Sequence, residues 1–294
     1  MKKVVIPLLL LLAVSNIDAC ENYFDLARSD LLRQINLLPK GANAEKQPKN
    51  IILMMGDGMG YSTLTMARYK KALNEGKLAG DSTLNIDSFP YSGSIRTFCA
   101  DNIVTDSGAS ATAYLTGCKA NKECIGVSPQ VTNDPDSYHP QYDGPNSFLI
   151  EAKLAGFLTG FATTQPITHA SPAPLYAHTH SRRYEYLAKC VFIEMFYRFS
   201  PKPLVNKNGL LCLDIASQFV QKSHYFDLVM GGGRGYFQPI ELDKQGLRGD
   251  GRNLLNEWMN ECSRSNQSCA LYQSPADFLA KRQEAFSKQR ILGK

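Results

Sequence analysis

Asp106-Ser107 heads the run Gly108-Ala109-Ser110-Ala111-Thr112-Ala113, a series of small residues compatible with a helix. A hydroxyl beside a carboxylate at a helix start is a candidate nucleophile, because first-turn N–H groups and the positive end of the helix dipole favour an anion above it. The competing reading is plainer: Asp106 or Ser107 caps the helix and does nothing more. Other residues of suitable chemistry lie elsewhere. They are Asp57 within Gly56-Asp57-Gly58-Met59-Gly60, His169 and Ser171 within Thr168-His169-Ala170-Ser171-Pro172, and Arg182 after His178-Thr179-His180-Ser181.

The glycine loop around Asp57 invites comparison with a dinucleotide fingerprint, but its spacing is G-x-G-x-G and an acid stands where the backbone would approach a pyrophosphate. An aspartate there repels bare phosphate. It becomes useful if a divalent cation lies between them, since carboxylate oxygens are hard ligands; otherwise Asp57 only stabilises a turn. A serine needs a general base or a metal to become nucleophilic. A Ser107-His169-Asp57 hydrolytic triad satisfies the residue types, yet the G-x-S-x-G elbow is missing. A metal-activated alkoxide explains the exposed acid as well and is the better account.

These residues need a frame to bring them together. The apolar run 50–55 predicts a buried parallel strand that ends at the Asp57 loop, and 62–71 predicts a helix after it. An alternating segment at 93–98 reads as a strand leading to the Asp106-Ser107 helix, which is expected to end near Gly117. Further helices are expected at 147–156, 213–222, 254–259 and 275–286, and strands at 157–164 and 225–230. The second of these strands runs into Gly231-Gly232-Gly233-Arg234-Gly235, which has the look of another phosphate cradle. Alternation of strand and helix implies an α/β fold with a mainly parallel sheet sandwiched between helix layers. His169 and Ser171 then fall at a strand's carboxyl end, where open parallel sheets place their ligands.

The chain has 294 residues, 44% hydrophobic and 20% charged, with a formal net charge of +5, ample for a large core. No block of like charge points to nucleic acid. Residues 1–19 have the charged start, short apolar middle and small-residue exit of a secretory signal, with an uncleaved anchor as the alternative. Cys20 directly follows that segment, which leaves lipidation as another reading. Residues 20–49 read as an amphipathic helical arm and linker, and 50–294 as one partial α/β domain. No apolar C-terminal tail suggests a second span or a lipid-anchor signal.

Export would permit disulfides among the eight cysteines, and the spacings Cys118/Cys124 and Cys262/Cys269 suit short loops without establishing any pairing. Asn266-Gln267-Ser268 is an N-glycosylation acceptor sequence.

Taken together, Gly56-Asp57-Gly58-Met59-Gly60, Phe89-Pro90-Tyr91, the stretch 105–115, Gly117-Cys118-Lys119-Ala120-Asn121, Thr168-His169-Ala170-Ser171-Pro172, Tyr176-Ala177-His178-Thr179, and the stretches 212–219 and 227–234 strongly resemble the animal-type alkaline phosphatase family. The resemblance runs in family order over most of 45–260 and matches the N-terminal portion only. It implies a hydrolase of phosphate monoesters with two zinc ions and one magnesium. Ser107 would be the phosphorylated nucleophile and a zinc ligand. Asp57 would bridge that zinc and the magnesium, with His169 and Ser171 in the magnesium site. Arg182 would clamp phosphate oxygens and Asp106 would orient it. The resemblance also implies a homodimer, and the signal-like segment 1–19 implies a place outside the cell or at its surface. His178 and His180 are not family ligands and read as packing residues, Arg183 reads as a solvated neighbour, and the resemblance makes the 231–235 glycine stretch a structural turn. The family's remaining ligands, including late histidines, have no counterpart after Arg234, so both metal ligand sets are incomplete here and activity of these residues alone is in question. A secreted fragment that binds without turnover is the alternative, and a related sulfatase or phosphotransferase a weaker one. The family would also pair the cysteine matching Cys212 with one in the long loop, yet 125–145 contains none, and 188–208 has no family counterpart.

Overall fold

In the computed structural model the described residues are 49–186 and 214–293, apart from 79, 90, 140–142, 243 and 286, together with 20, 24–25, 28–29 and 31–33. The expected signal at 1–19, Cys190, Cys212 and the segment 188–208 lie outside them. The chain forms two compact units, one of residues 43–97 and one of 1–42 with 98–294.

The smaller unit is built on helix α1, Tyr61–Asn74. Arg68 on this helix reaches both oxygens of Asp87, which also caps the Asn85–Ser88 turn by accepting from Leu84 N–H at 2.8 Å. The Arg68 guanidinium foremost, then the Leu84 N–H, holds the Asp87 carboxyl down at about 2. The strands expected at 50–55 and 93–98 do not form. A strand exists through hydrogen bonds to a neighbour, and no described segment pairs with either stretch.

The larger unit holds the sheet. Its strands are β1 (Gly160–Pro166), β2 (Leu228–Gly232), β3 (Cys269–Tyr272) and β4 (Arg290–Gly293), in the order β1-β2-β4-β3 and parallel at every pairing. The helices are α2 (Ser107–Thr116), α3 (Phe148–Leu154), α4 (Ile215–Lys222), α5 (Leu254–Arg264), α6 (Pro275–Ala280) and α7 (Arg282–Ala285). Side-chain caps fix where several begin: Asp214 accepts from Ser217 N–H at 2.8 Å at the head of α4, and Asn253 from Asn256 N–H at 3.1 Å at the head of α5. Ile215, Ala216, Phe219 and Val220 recur at helical spacing on one face of α4, and Leu254, Leu255, Trp258 and Cys262 on α5. Both faces enter one core with Val229 of β2 and Leu292 of β4. The stretch after β2 is a turn, as the family resemblance implies: Gly233 has φ +90°, and a Cβ there would meet Pro166 Cβ at 2.9 Å.

Cysteine pairing is half as the spacings allow. Cys262 and Cys269 close the turn between α5 and β3, whereas Cys118 pairs with Cys20 across a separation of 98 residues. Cys124 is a buried free thiol whose Sγ faces the carbonyls of Val131 and His180.

The deepest charge in this unit is Arg248, with no exposed side-chain surface. It donates to Asp214 at 3.0 Å and Asp250 at 2.6 Å, so it also holds the cap of α4. Truncating one partner of such a pair leaves a buried charge alone. Arg248→Ala is expected to cost about 3–5 kcal/mol in urea unfolding. Arg252→Ala, which breaks the exposed pair with Glu257, is expected to cost about 1 kcal/mol or less; equal costs would contradict the assignment.

Candidate active site

Asp106 starts α2 with extended backbone, φ −114° and ψ 176°, and Ser107 is the first helical residue. The Asp106 carboxylate accepts from Gly108 N–H at 3.0 Å and from Ala109 N–H at 3.2 Å. Asp106 is therefore the N-cap, and the first-turn N–H groups expected to face an anion are engaged by it instead. The helix dipole still points its positive end at Ser107. The carboxylate has two further donors, Glu123 N–H at 2.9 Å and Arg182 Nη1 at 3.0 Å. Burial alone would raise its pKa. The three backbone N–H groups and the guanidinium outweigh that and hold it below the ordinary aspartate value.

Small residues after Ser107 have a packing reason. A Cβ on Gly108 would lie 2.8 Å from Ile125 Cδ1 and 3.1 Å from the Cys124 carbonyl oxygen, so glycine lets the 124–125 strand segment close on the helix. That segment pairs with the next site element: Ile125 and Thr179 exchange backbone bonds of 2.9 Å in each direction. Arg182 follows three residues after Thr179, and its own N–H donates to the Glu123 carbonyl at 2.7 Å. Two bonds thus place its side chain and its main chain beside Asp106.

His169 and Ser171 sit just past the carboxyl end of β1, where His169 N–H donates to the Pro166 carbonyl at 2.9 Å. The His169 Nδ1 is buried and has no hydrogen-bond partner, so it is one nitrogen open to a ligand. Asp57 belongs to the other unit and lies in the turn closed by Met59 N–H on the Gly56 carbonyl at 3.2 Å. Among the described residues no three His, Cys, Asp or Glu side chains gather as a metal cage. The orphaned His169 nitrogen suits a cation, but the residues present do not complete a metal site.

Reasoning from residue types passed over Glu123. It contributes its peptide group, which no residue-type signal announces. Arg183, expected as a solvated neighbour, is exposed but bonds Glu123 Oε1 at 3.2 Å. His178 and His180 are buried packing residues: the His178 ring lies between the Gly126 carbonyl and Lys222 Nζ, and His180 stands edge-on to Tyr184 at 4.6 Å.

A parallel sheet with helices, and an aspartate N-cap paired with an arginine beside a serine at one helix start, define the class as an α/β fold with a charged site at a helix start. More particularly, a family model described as alkaline phosphatase matches residues 48–294, and the chain belongs to that family. It is 36% identical over 219 residues to the tissue-nonspecific alkaline phosphatase of Gallus gallus, covering 71% of this chain and 40% of the relative. It is 32% identical over 240 residues to the membrane-bound alkaline phosphatase of Bombyx mori, covering 76% and 40% respectively. The structure of Thermus thermophilus alkaline phosphatase superposes with a TM-score of 0.57 at 20% identity, over 87% of this chain and 44% of that one, which shows the fold. The chain therefore spans less than half the length of these proteins.

Burial holds His180 near a pKa of about 4, with its Nε2 unpartnered. The unfolded histidine titrates at about 6.5, so the unfolded state binds more protons between the two values and stability falls as pH drops through that window. Between pH 7 and 4, urea unfolding should show a loss of about 3 kcal/mol attributable to this group. His180→Phe keeps a ring against Tyr184 and should flatten that part of the profile; parallel curves for the two proteins would contradict the prediction.

Proposed function

We propose that this chain carries the nucleophile and phosphate grip of an alkaline phosphatase, acting on phosphate monoesters with Ser107 as the group phosphorylated. The observation that carries this reading is the 3.0 Å bond from Arg182 to Asp106, beside Ser107 at the head of α2. A guanidinium has five donors, so one spent on Asp106 leaves others in a planar fork matched to two phosphate oxygens. Asp106 fixes the plane of that fork, and the dipole of α2 adds a favourable field for the anion. In the reaction a bond forms between Ser107 Oγ and phosphorus as the bond to the leaving oxygen breaks. Water then displaces Ser107 and releases inorganic phosphate.

Zinc and magnesium, when bound in this family, supply activation of the serine and neutralisation of charge. Toward two zinc ions and one magnesium this chain would offer Asp57, Ser107, His169 and Ser171. That set does not make a complete cage. The same observation favours a second reading, a chain that binds phosphate esters without turning them over. Export through residues 1–19 to the outside or surface of the cell and glycosylation at the exposed Asn266 turn rest on the sequence signals, and pairing of two copies rests on the family resemblance.

An assay with an aryl phosphate at alkaline pH, with zinc and magnesium present, separates the readings. Hydrolysis by the purified chain, abolished in Ser107→Ala and raised in KM by about tenfold or more in Arg182→Ala, is the expected result. Undiminished turnover in Ser107→Ala would overturn the mechanism. Absence of turnover with phosphate binding that Arg182→Ala removes would establish the second reading.

A further inference from the structure

Glu123 occupies a backbone conformation that its side chain does not favour, with φ +68°, one of two non-glycine residues among those described with positive φ. Strain of this kind persists where the surroundings over-determine it, and here the surroundings are specific. The N–H of Glu123 donates to Asp106 Oδ1 at 2.9 Å, and its carbonyl accepts from Arg182 N–H at 2.7 Å. One residue thus binds both partners of the Asp106–Arg182 pair through its main chain. Its carboxylate is tied as well: Oε1 accepts from Arg183 Nη2 at 3.2 Å and Oε2 from Asn133 Nδ2 at 3.1 Å.

The geometry points to Glu123 as the positioning residue of the phosphate-gripping arginine, its carboxylate anchored by Arg183 and Asn133 so that its peptide holds Asp106 and Arg182 in register. The inference rests on the function proposed above for Arg182. Glu123 itself touches no substrate. A glycine would enter the left-handed region without strain, but it would carry no carboxylate to tie the loop to Arg183 and Asn133. The side chain is what converts a permissive turn into a fixed one. The exposed Arg183 thereby holds one end of the clamp whose other end orients its neighbour Arg182.

The test uses the full chain with zinc and magnesium in the buffer, inorganic phosphate as the probe in calorimetric titration, and amide hydrogen exchange at Arg182 as a second readout. Glu123→Ala keeps the peptide group and the positive φ but removes the carboxylate. It should weaken phosphate binding about five- to tenfold and speed exchange at the Arg182 amide by a similar factor. Glu123→Gln retains acceptor and reach, and should restore both to within about threefold of the parent. Glu123→Gly serves as the folding control: it should melt no lower than the parent, yet show the weak binding and fast exchange of the alanine variant. A folded Glu123→Ala with unchanged exchange and unchanged binding overturns the inference. A glutamine variant as impaired as alanine would place the anchor in the ion pair with Arg183 and support the inference, provided that Arg183→Ala speeds exchange at the Arg182 amide to the same extent; an Arg183→Ala protein with parent exchange would then overturn it. If Arg182→Ala leaves phosphate binding untouched, the proposed function fails, and exchange at the Arg182 amide still decides the role of Glu123.

Discussion

The carboxylate of Asp106 is the constraint on which the site depends. Four donors converge on it, from Gly108, Ala109, Glu123 and Arg182, and they come from the helix, from the loop that follows it and from a segment more than seventy residues away. A half-buried carboxylate left unpaired would be costly, whereas one receiving charge-assisted and backbone bonds is stabilised in its ionised form. The same group therefore ends the unsatisfied state of the α2 terminus, fixes the loop at Glu123 and aims Arg182. Capping and the proposed catalytic role are not alternatives at this position. The cap is what makes the arginine's place definite.

The larger unit supplies the rigidity this arrangement needs. Its four parallel strands and the helices α4 and α5 share one core, and the buried Arg248 ties the start of α4 to the 236–250 loop through Asp214 and Asp250. Core contacts among Tyr176, Phe219 and Phe226 carry that rigidity up to the 176–182 segment, which is hydrogen-bonded at Thr179 to the strand segment packed on α2. Loops then present the chemistry while packed elements hold them, the usual division of labour in parallel sheets.

Local signals were legible in the sequence, and signals made by distant partners were not. The α2 helix, its glycine end and the strands near 160 and 228 follow from small-residue runs, caps and apolar runs closed by turn residues. The stretches 50–55 and 93–98 carry the right residue types for strands, but pairing is decided elsewhere in the chain, and no described segment pairs with them. The reverse holds for β3 and β4: four residues each, they are strands because β4 pairs with β2 and β3 pairs with β4, not because of any pattern of their own. At the site, Asp106, Ser107 and Arg182 were recognisable through family motifs. Glu123 was not, because it acts through its peptide group. Cys20 and Cys118 were equally opaque, since no spacing rule reaches across the intervening chain.

The most direct test is a crystal structure of the chain grown with inorganic phosphate. Phosphate is expected at the head of α2, with two of its oxygens on the Arg182 guanidinium, its phosphorus facing Ser107 Oγ, and the Asp106–Arg182 bond intact. Phosphate bound elsewhere, or Arg182 turned away from Asp106 to reach it, would contradict the account.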